Sequence, residues 1–186
     1  MRYKEVAVVV VLVSACLVGF AKGGKGNDNY VPDPAQVAEV EAAVRDNVDA
    51  FNVPPGKTFD IDRVAKLYAP GADFLMYDFM VPQEWTGFDV RKHFQDVMAQ
   101  YAGKIDVTEI RVHVGGTVAF ATSIQEAYGT NSEGKHFDIR FRVTDGVVKK
   151  NGKWIWVHQH VSLPINWTTG QAVMNAKKQD PKPTAP

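Results

Sequence analysis

Asp78 is the residue in this sequence whose position best suits chemistry, because it is an acidic side chain at the end of an apolar stretch. Residues 72–79 predict a β-strand in which Phe74, Met76 and Asp78 point to one face. If that face lines a cavity, burial raises the pKa of the carboxyl group, as a general base or a neutral hydrogen-bond donor requires. Asp78 also precedes a turn-rich loop, so it could instead cap loop N–H groups; both interpretations stay open.

A second polar group lies near the end of the chain, where His158 and His160 alternate with apolar residues. Two histidines at this spacing can share a metal ion, but no carboxylate is placed as a third ligand, so we predict neither a metal nor a cofactor. Trp156 is expected on the same face, and a face carrying tryptophans is rarely bare to water. We therefore predict that Arg142, Trp156, His158 and His160 form a polar network or a homodimer interface. The alternative is that this face lines the pocket.

A β-hairpin over residues 136–163 is predicted to position these side chains, with Asn151–Gly152 as its two-residue turn. An unbroken ladder would set the apolar face of one strand against the polar face of the other. We therefore predict a β-bulge with one extra residue at Asp145–Gly146, which pairs Arg142 with His160. The odd-numbered, phenylalanine-bearing face is then expected to pack beneath the helices.

Three amphipathic helices are predicted upstream of this hairpin. The first follows Asp33–Pro34, the second follows Asp60 and the third follows Gly87. Strands are predicted at 105–114 and 117–129. Helices followed by a mostly antiparallel, curved sheet define an α+β domain, which we place at residues 33–167.

Net charge and the two ends of the chain limit which partners and which cellular location we predict. The 21 basic and 21 acidic residues cancel, which gives a nucleic-acid partner no electrostatic support. Residues 1–21 resemble an export signal, so we predict a periplasmic or secreted protein. Cys16 lies in a lipobox-like sequence and is alternatively a lipid anchor that would hold the protein at a membrane. Residues 22–32 are predicted to be a flexible tether, and residues 168–186 a disordered tail.

The motifs Arg142-x-Thr144, Gly152-Lys153-Trp154 and His158-x-His160-x-Ser162 resemble those of a known family. With the helices upstream, they are similar to the SnoaL-like and ketosteroid-isomerase-like branch of the nuclear-transport-factor-2-like (NTF2-like) superfamily. The resemblance covers about residues 33–164. It implies a cone-shaped sheet with the three helices packed on its concave face, a pocket at the open end and commonly a dimer. Activities in this superfamily vary widely, so the fold alone selects none of them.

The resemblance also guides the choice of site residues. Ketosteroid isomerase carries its base aspartate on the equivalent strand, near Met76 here, and Asp78 follows two residues later on the same face. The association domain of calmodulin-dependent kinase has pocket arginines where this chain has Asp145 and Val161, so its anionic-ligand site is expected to be absent. We predict that a small hydrophobic molecule contacts Met76, Trp85, Tyr101, Tyr128 and Gln159.

Three functions are consistent with these features. The first is an exported, cofactor-independent isomerase-, dehydratase- or hydrolase-like protein that uses Asp78 for proton transfer. The second is a non-catalytic carrier of a hydrophobic ligand, and the third is a dimerising module. A lone candidate acid without a clear oxyanion partner favours a ligand-binding or enzyme-like domain of unassigned activity.

Overall fold

The fold is seen in a computed structural model that describes residues 31–53, 57–80 and 84–175. These residues belong almost entirely to one structural unit, Pro32–Pro186. The predicted export signal, Cys16 and most of the predicted tether lie outside the described residues. The helices are α1 (Pro34–Asp49), α2 (Ile61–Ala65) and α3 (Val90–Gln100), with a 3-10 turn at Gly71–Asp73; the strands are β1 (Leu75–Tyr77), β2 (Glu84–Thr86), β3 (Tyr101–Gly115), β4 (Val118–Asn131), β5 (His136–Lys150) and β6 (Lys153–Ser162).

Capping residues fix where the first two helices begin. Asp33 accepts a hydrogen bond from the Ala35 amide at 3.0 Å, and Pro34 takes the first helical position, where a missing N–H costs nothing. Asp60 accepts from the Arg63 amide in the same way. Helix α1 packs against β3 and β4. None of the helices in the described part of the chain is long and apolar enough to cross a membrane.

The six strands form one curved sheet in the order β2-β1-β6-β5-β4-β3. All neighbouring pairs are antiparallel except β1 and β6, which are parallel. The α+β class and the mostly antiparallel sheet are therefore confirmed. Two details differ from the sequence prediction. The strand predicted at 72–79 is shorter, because its first residues form the 3-10 turn, and part of the loop predicted after it forms β2.

The hairpin turn is confirmed at Asn151–Gly152. Asn151 has a φ of 51° and Gly152 a φ of 76°, the pair of positive values that a type I′ turn needs. This turn twists in the same sense as the strands on either side, so β5 and β6 pair directly from Lys150 and Lys153. The long hairpin that positions the polar residues therefore starts from a local, sequence-encoded turn.

Replacing Gly152 with alanine should lower the free energy of unfolding by about 1 kcal/mol, because an L-residue with a side chain is strained at positive φ. An added Cβ would meet no heavy atom within 4 Å, so the cost comes from the backbone alone. Gly115→Ala is the matched control, since its Cβ also meets nothing but its φ is not positive. Urea denaturation of both variants measures the difference, and equal stabilities would contradict this account.

The hairpin contains the predicted bulge, but the extra residue is on the other strand. Gly146 pairs with His158 and the next residue, Val147, pairs with Trp156. Val157 therefore has no partner in the ladder, and it is the inserted residue. The prediction of a bulge at this level of the hairpin is correct, and its placement in β5 is wrong.

The pairing beyond the bulge changes accordingly. Arg142 faces Ser162, and Thr144 faces His160, whereas an insertion at Asp145–Gly146 would have paired Arg142 with His160. The physical reason is that the side chains of β5 alternate between the inner and outer faces without interruption, and its odd-numbered residues point inward along the whole strand. The switch in which residues of the hairpin point inward must then occur in β6, where the bulge at Val157 produces it.

This bulge reverses the predicted orientation of the tryptophans. Trp154 and Trp156 point into the core with Gln159, and Trp156 is only 1% exposed. The prediction that Trp156 belongs to the outer face is therefore wrong. Phe141 is buried and His160 is exposed, as predicted.

The chain after β6 folds back onto the domain. Val173 donates its amide hydrogen to the Pro164 carbonyl, and the Arg140 amide of β5 donates to the Met174 carbonyl at 2.7 Å. Residues 168–175 of the predicted disordered tail are therefore hydrogen-bonded. The rest of that tail lies outside the described residues.

Candidate active site

Asp78 lies just beyond β1, on the inner face of the strand. Phe74, Met76 and Asp78 are all buried and alternate with the exposed Tyr77, as their spacing predicts. One carboxylate oxygen, Oδ1, accepts a hydrogen bond from the Met80 amide at 3.1 Å. Asp78 therefore does have the loop contact of the structural interpretation. That contact uses one oxygen and leaves Oδ2 for another partner.

His93 of α3 supplies that partner. Its Nε2 atom lies 3.2 Å from Asp78 Oδ2, and the two side chains are 4% and 1% exposed. The distance is that of an ion pair, but the N–H does not point along it, so Oδ2 makes no hydrogen bond with the described residues. The indole of Trp85 lies over the His93 ring with centroids 3.8 Å apart, which fixes the imidazole in place. The pair is a buried acid and base that have been removed from bulk water.

Both residues line a cavity of about 300 Å³ between the helices and the inner face of the sheet. Most of its wall is apolar, including Phe94 of α3 and Phe141 and Val143 of β5. Four of the five methionines in the sequence also line it: Met76, Met80, Met98 and Met174. Methionine is flexible and polarisable, so such a wall adapts to flat or irregular apolar molecules.

A second polar cluster adjoins the cavity and centres on Asp145. This residue is 1% exposed, and its Oδ1 accepts hydrogen bonds from Trp156 Nε1 and Gln159 Nε2, each at 2.8 Å. Burial raises the pKa of Asp145 to about 6, against the lowering effect of the two hydrogen bonds. Gln159 reaches the cavity wall, whereas Asp145 and Trp156 lie behind it.

Tyr68 and Asn47 complete this polar end of the cavity. The Asn47 amide nitrogen donates to the Tyr68 hydroxyl at 3.2 Å, and both side chains line the cavity. Burial raises the pKa of Tyr68 well above its ordinary value, although hydrogen bonds from Asn47 and Gln159 oppose the rise. The tyrosine is therefore a neutral hydroxyl at all physiological pH values.

The other residues predicted from the sequence divide between the cavity and the outside. Met76, Tyr101 and Gln159 line the cavity. Trp85 packs on His93 instead, and Tyr128 is on the surface, where its hydroxyl donates to Asp106 at 2.9 Å. The described cavity wall does not include either of these two aromatic residues.

The outer face of the sheet carries the remaining predicted polar residues. Tyr77 packs edge-on against both His158 and His160. Arg142 donates from its guanidinium to the Leu163 carbonyl at 3.2 Å. Trp156 is absent from this face, for the reason given above, and assembly of a homodimer through the face stays a prediction. Within the described residues, no three histidine, cysteine or acidic side chains are grouped as a metal site would need.

Sequence reasoning missed His93 as a site residue. A signal was present, because His93 falls between Val90 and Phe94 on the buried stripe of α3, at spacings of three and one residues. A histidine on such a stripe must find a polar partner inside the protein, and Asp78 was the candidate acid. Asp145 was recognised only as a position where a related domain has an arginine.

The fold defines a class of protein: α+β domains with a curved, mostly antiparallel sheet. The SnoaL-like domain family matches residues 41–166, and the chain belongs to that family. Among curated proteins, none matches this chain.

Solved structures agree on the fold. An NTF2-like protein of unknown function from Pseudomonas putida KT2440 superposes with a TM-score of 0.65 at 20% identity, over 78% of this chain and 99% of the other. A ketosteroid isomerase-like protein from Erwinia carotovora atroseptica gives 0.57 at 21% identity, over 69% and 96%. The association domain of C. elegans CaMKII gives 0.51 at 15% identity, over 69% and 95%. These likenesses establish the NTF2-like fold, as the sequence motifs predict.

Proposed function

We propose that this domain binds a small, largely apolar molecule in the cavity and transfers a proton with Asp78 and His93, without a cofactor. The observation that carries the proposal is the buried carboxylate oxygen Oδ2 of Asp78, a residue of the cavity wall: it lies 3.2 Å from His93 Nε2 and has no hydrogen bond with any described residue. An unsatisfied carboxylate oxygen in a protein interior is costly, and it is retained where a ligand or a reaction uses it.

The proposed step needs no further reactant, because the proton and all electron pairs come from the ligand and return to it. Asp78 accepts a proton from a carbon next to a carbonyl group; the C–H electron pair forms a C=C bond and the carbonyl π pair moves onto its oxygen. In an isomerisation that pair returns to the carbonyl, the double bond shifts and its far carbon takes the proton back from Asp78. In a dehydration the pair returns as the hydroxyl group leaves with the C–O electron pair and takes the proton to form water. The Met80 amide holds the carboxylate by its other oxygen, so the reacting oxygen is kept in one orientation.

The test uses the full chain in D₂O with two sets of small apolar compounds, β,γ-unsaturated ketones and β-hydroxy ketones. Mass spectrometry follows deuterium uptake, and absorbance follows the conjugated product. We expect Asp78→Asn to slow turnover by about a hundredfold, since general-base catalysis contributes at least this much. Asp73→Asn is the matched control: it is the same chemical change at an exposed residue five positions earlier, and it should leave the rate unchanged.

A ligand carrier without catalysis is the second candidate function. The hydrogen bond from the Met80 amide to Asp78 favours it, because this contact alone gives the carboxylate a structural role. If no compound exchanges deuterium, or if Asp78→Asn turns over like the wild type, proton transfer by Asp78 is excluded. Binding of apolar compounds with unchanged affinity in Asp78→Asn would then support the carrier.

A further inference from the structure

The side-chain amide of Gln159 is held in one orientation where it meets the cavity. Its nitrogen, Nε2, donates to Asp145 Oδ1 at 2.8 Å. An ionised carboxylate can only accept hydrogen bonds, and the indole of Trp156, which binds the same oxygen, can only donate. The carboxylate therefore selects the nitrogen end of the amide.

The oxygen of that amide, Oε1, is consequently the end left for the cavity. Gln125, on the neighbouring part of the wall, shows the same arrangement. Its Nε2 donates to Ser123 Oγ at 3.1 Å, which directs its oxygen away from the serine. Asp78 Oδ2 adds a third acceptor without a hydrogen bond in the described part of the chain.

Two polar groups on the same wall, Asn47 and Tyr68, bind each other. The Asn47 amide nitrogen donates to Tyr68, and the Tyr68 hydroxyl donates back to the Asn47 oxygen at 3.4 Å. The wall thus offers acceptors on three side chains, while the Tyr68 hydroxyl, one N–H of Asn47 and one N–H of Gln159 bind protein groups.

We propose that the cavity selects molecules that present a hydrogen-bond donor, the hydroxyl of an apolar alcohol or phenol, to Gln159 Oε1, and that Asp145 is the positioning residue that sets this preference. The inference deepens the proposed function and shares with it the assumption that this cavity is the ligand site; it does not depend on proton transfer by Asp78.

The test compares two probes of nearly equal shape, 2-naphthol and 2-methoxynaphthalene, by fluorescence titration of the full chain. Only the naphthol has a donor. A site built to hydrogen-bond a hydroxyl group rejects the analogue without it, so we expect the wild type to bind 2-naphthol at least tenfold more tightly.

Two variants assign the preference to the Asp145–Gln159 pair. In Asp145→Leu, which keeps the approximate size of the side chain but removes the oxygen that accepts from Gln159 Nε2, the amide is no longer held and either of its ends can face the ligand; the preference should fall to about twofold. In Gln159→Met, which keeps the length of the side chain, the preference should vanish while 2-methoxynaphthalene binds as before. Asp73→Asn should behave as the wild type.

The ratio of the two probe affinities shows whether Asp145 positions Gln159 or only supports the fold. If Asp145 only supports the fold, its replacement weakens both probes by the same factor, and the proposal is overturned. Equal binding of the two probes by the wild type, or binding of neither, overturns it as well. If Asp145→Leu does not fold by near-UV circular dichroism, Gln159→Met still decides the question. The preference can persist in Asp78→Asn, so failure of the proton-transfer test and failure of this one are separate results.

Discussion

Replacing Trp156 with alanine is expected to lower the free energy of unfolding by about 4 kcal/mol, in the range measured for large-to-small changes in protein cores. Trp156 is among the largest fully buried side chains of the domain, and it contacts Tyr68 with ring centroids 6.1 Å apart. The change removes apolar contact area, leaves a cavity and takes one hydrogen-bond donor from the buried carboxylate of Asp145.

Guanidinium denaturation of the full chain measures this effect. Trp167→Ala is the matched control, because Trp167 is 90% exposed and its removal should change stability by less than about 0.5 kcal/mol. The comparison also tests the bulge. If β6 alternated without interruption and Trp156 lay on the outer face, the two variants would differ little, and such a result would contradict the register described here.

The second large effect concerns pH and follows from the burial of Asp145. Its pKa is about 6 in the folded protein and near 3.8 in the unfolded chain. The folded state therefore holds a proton over a pH range where the unfolded chain has already lost it. Stability is greatest below about pH 4 as far as this group is concerned, and it falls as the pH rises through 6. A shift of roughly two pKa units corresponds to about 3 kcal/mol.

Asp145→Asn isolates this contribution, since asparagine does not titrate. The stability of the variant minus that of the wild type should increase by about 2 kcal/mol between pH 4 and pH 7. The measurement is a series of urea denaturation curves at fixed ionic strength. For Asp73→Asn, whose carboxylate is exposed, the same difference should be nearly constant. A flat or decreasing difference for Asp145→Asn would show that its carboxylate is not buried as described.

The sequence predicts a turn, strand face or helix start correctly where one or two neighbouring residues determine it. The Asn151–Gly152 turn needs positive φ at both residues, and asparagine and glycine tolerate it. The alternation of Phe74, Met76 and Asp78 placed Asp78 inside, because the strand is short and has one buried face. The helix starts at Asp33 and Asp60 follow from single side-chain hydrogen bonds.

The register of the long hairpin shows where such rules stop. Alternation in β5 and β6 requires a bulge, but a single extra residue in either strand makes the two apolar stripes agree near Arg142. Only the packing of Trp156 and Val147 in the core decides that the insertion is Val157. This is a tertiary preference, which no window of the sequence contains.

For the candidate site, the sequence indicates the individual residues but not how they pair. Asp78 is visible in the sequence as an acid on an apolar face, and His93 as a histidine on an apolar helical stripe. Their pairing depends on how α3 lies across β1, which is a matter of three-dimensional packing. The orientation of Gln159 depends similarly on a carboxylate fourteen residues away across the hairpin.

The bulge at Val157 divides β6 into two parts with different freedom to change. On one side, the indoles of Trp154 and Trp156 anchor the sheet without lining the cavity; on the other, Gln159 and Val161 form part of its wall. Gln159 is tied to the anchor, because it shares the Asp145 oxygen with Trp156, whereas Val161 lies beyond this contact. Substitutions at position 161 can therefore alter ligand choice while the anchor is left intact, which makes this end of β6 a natural place to redesign the pocket.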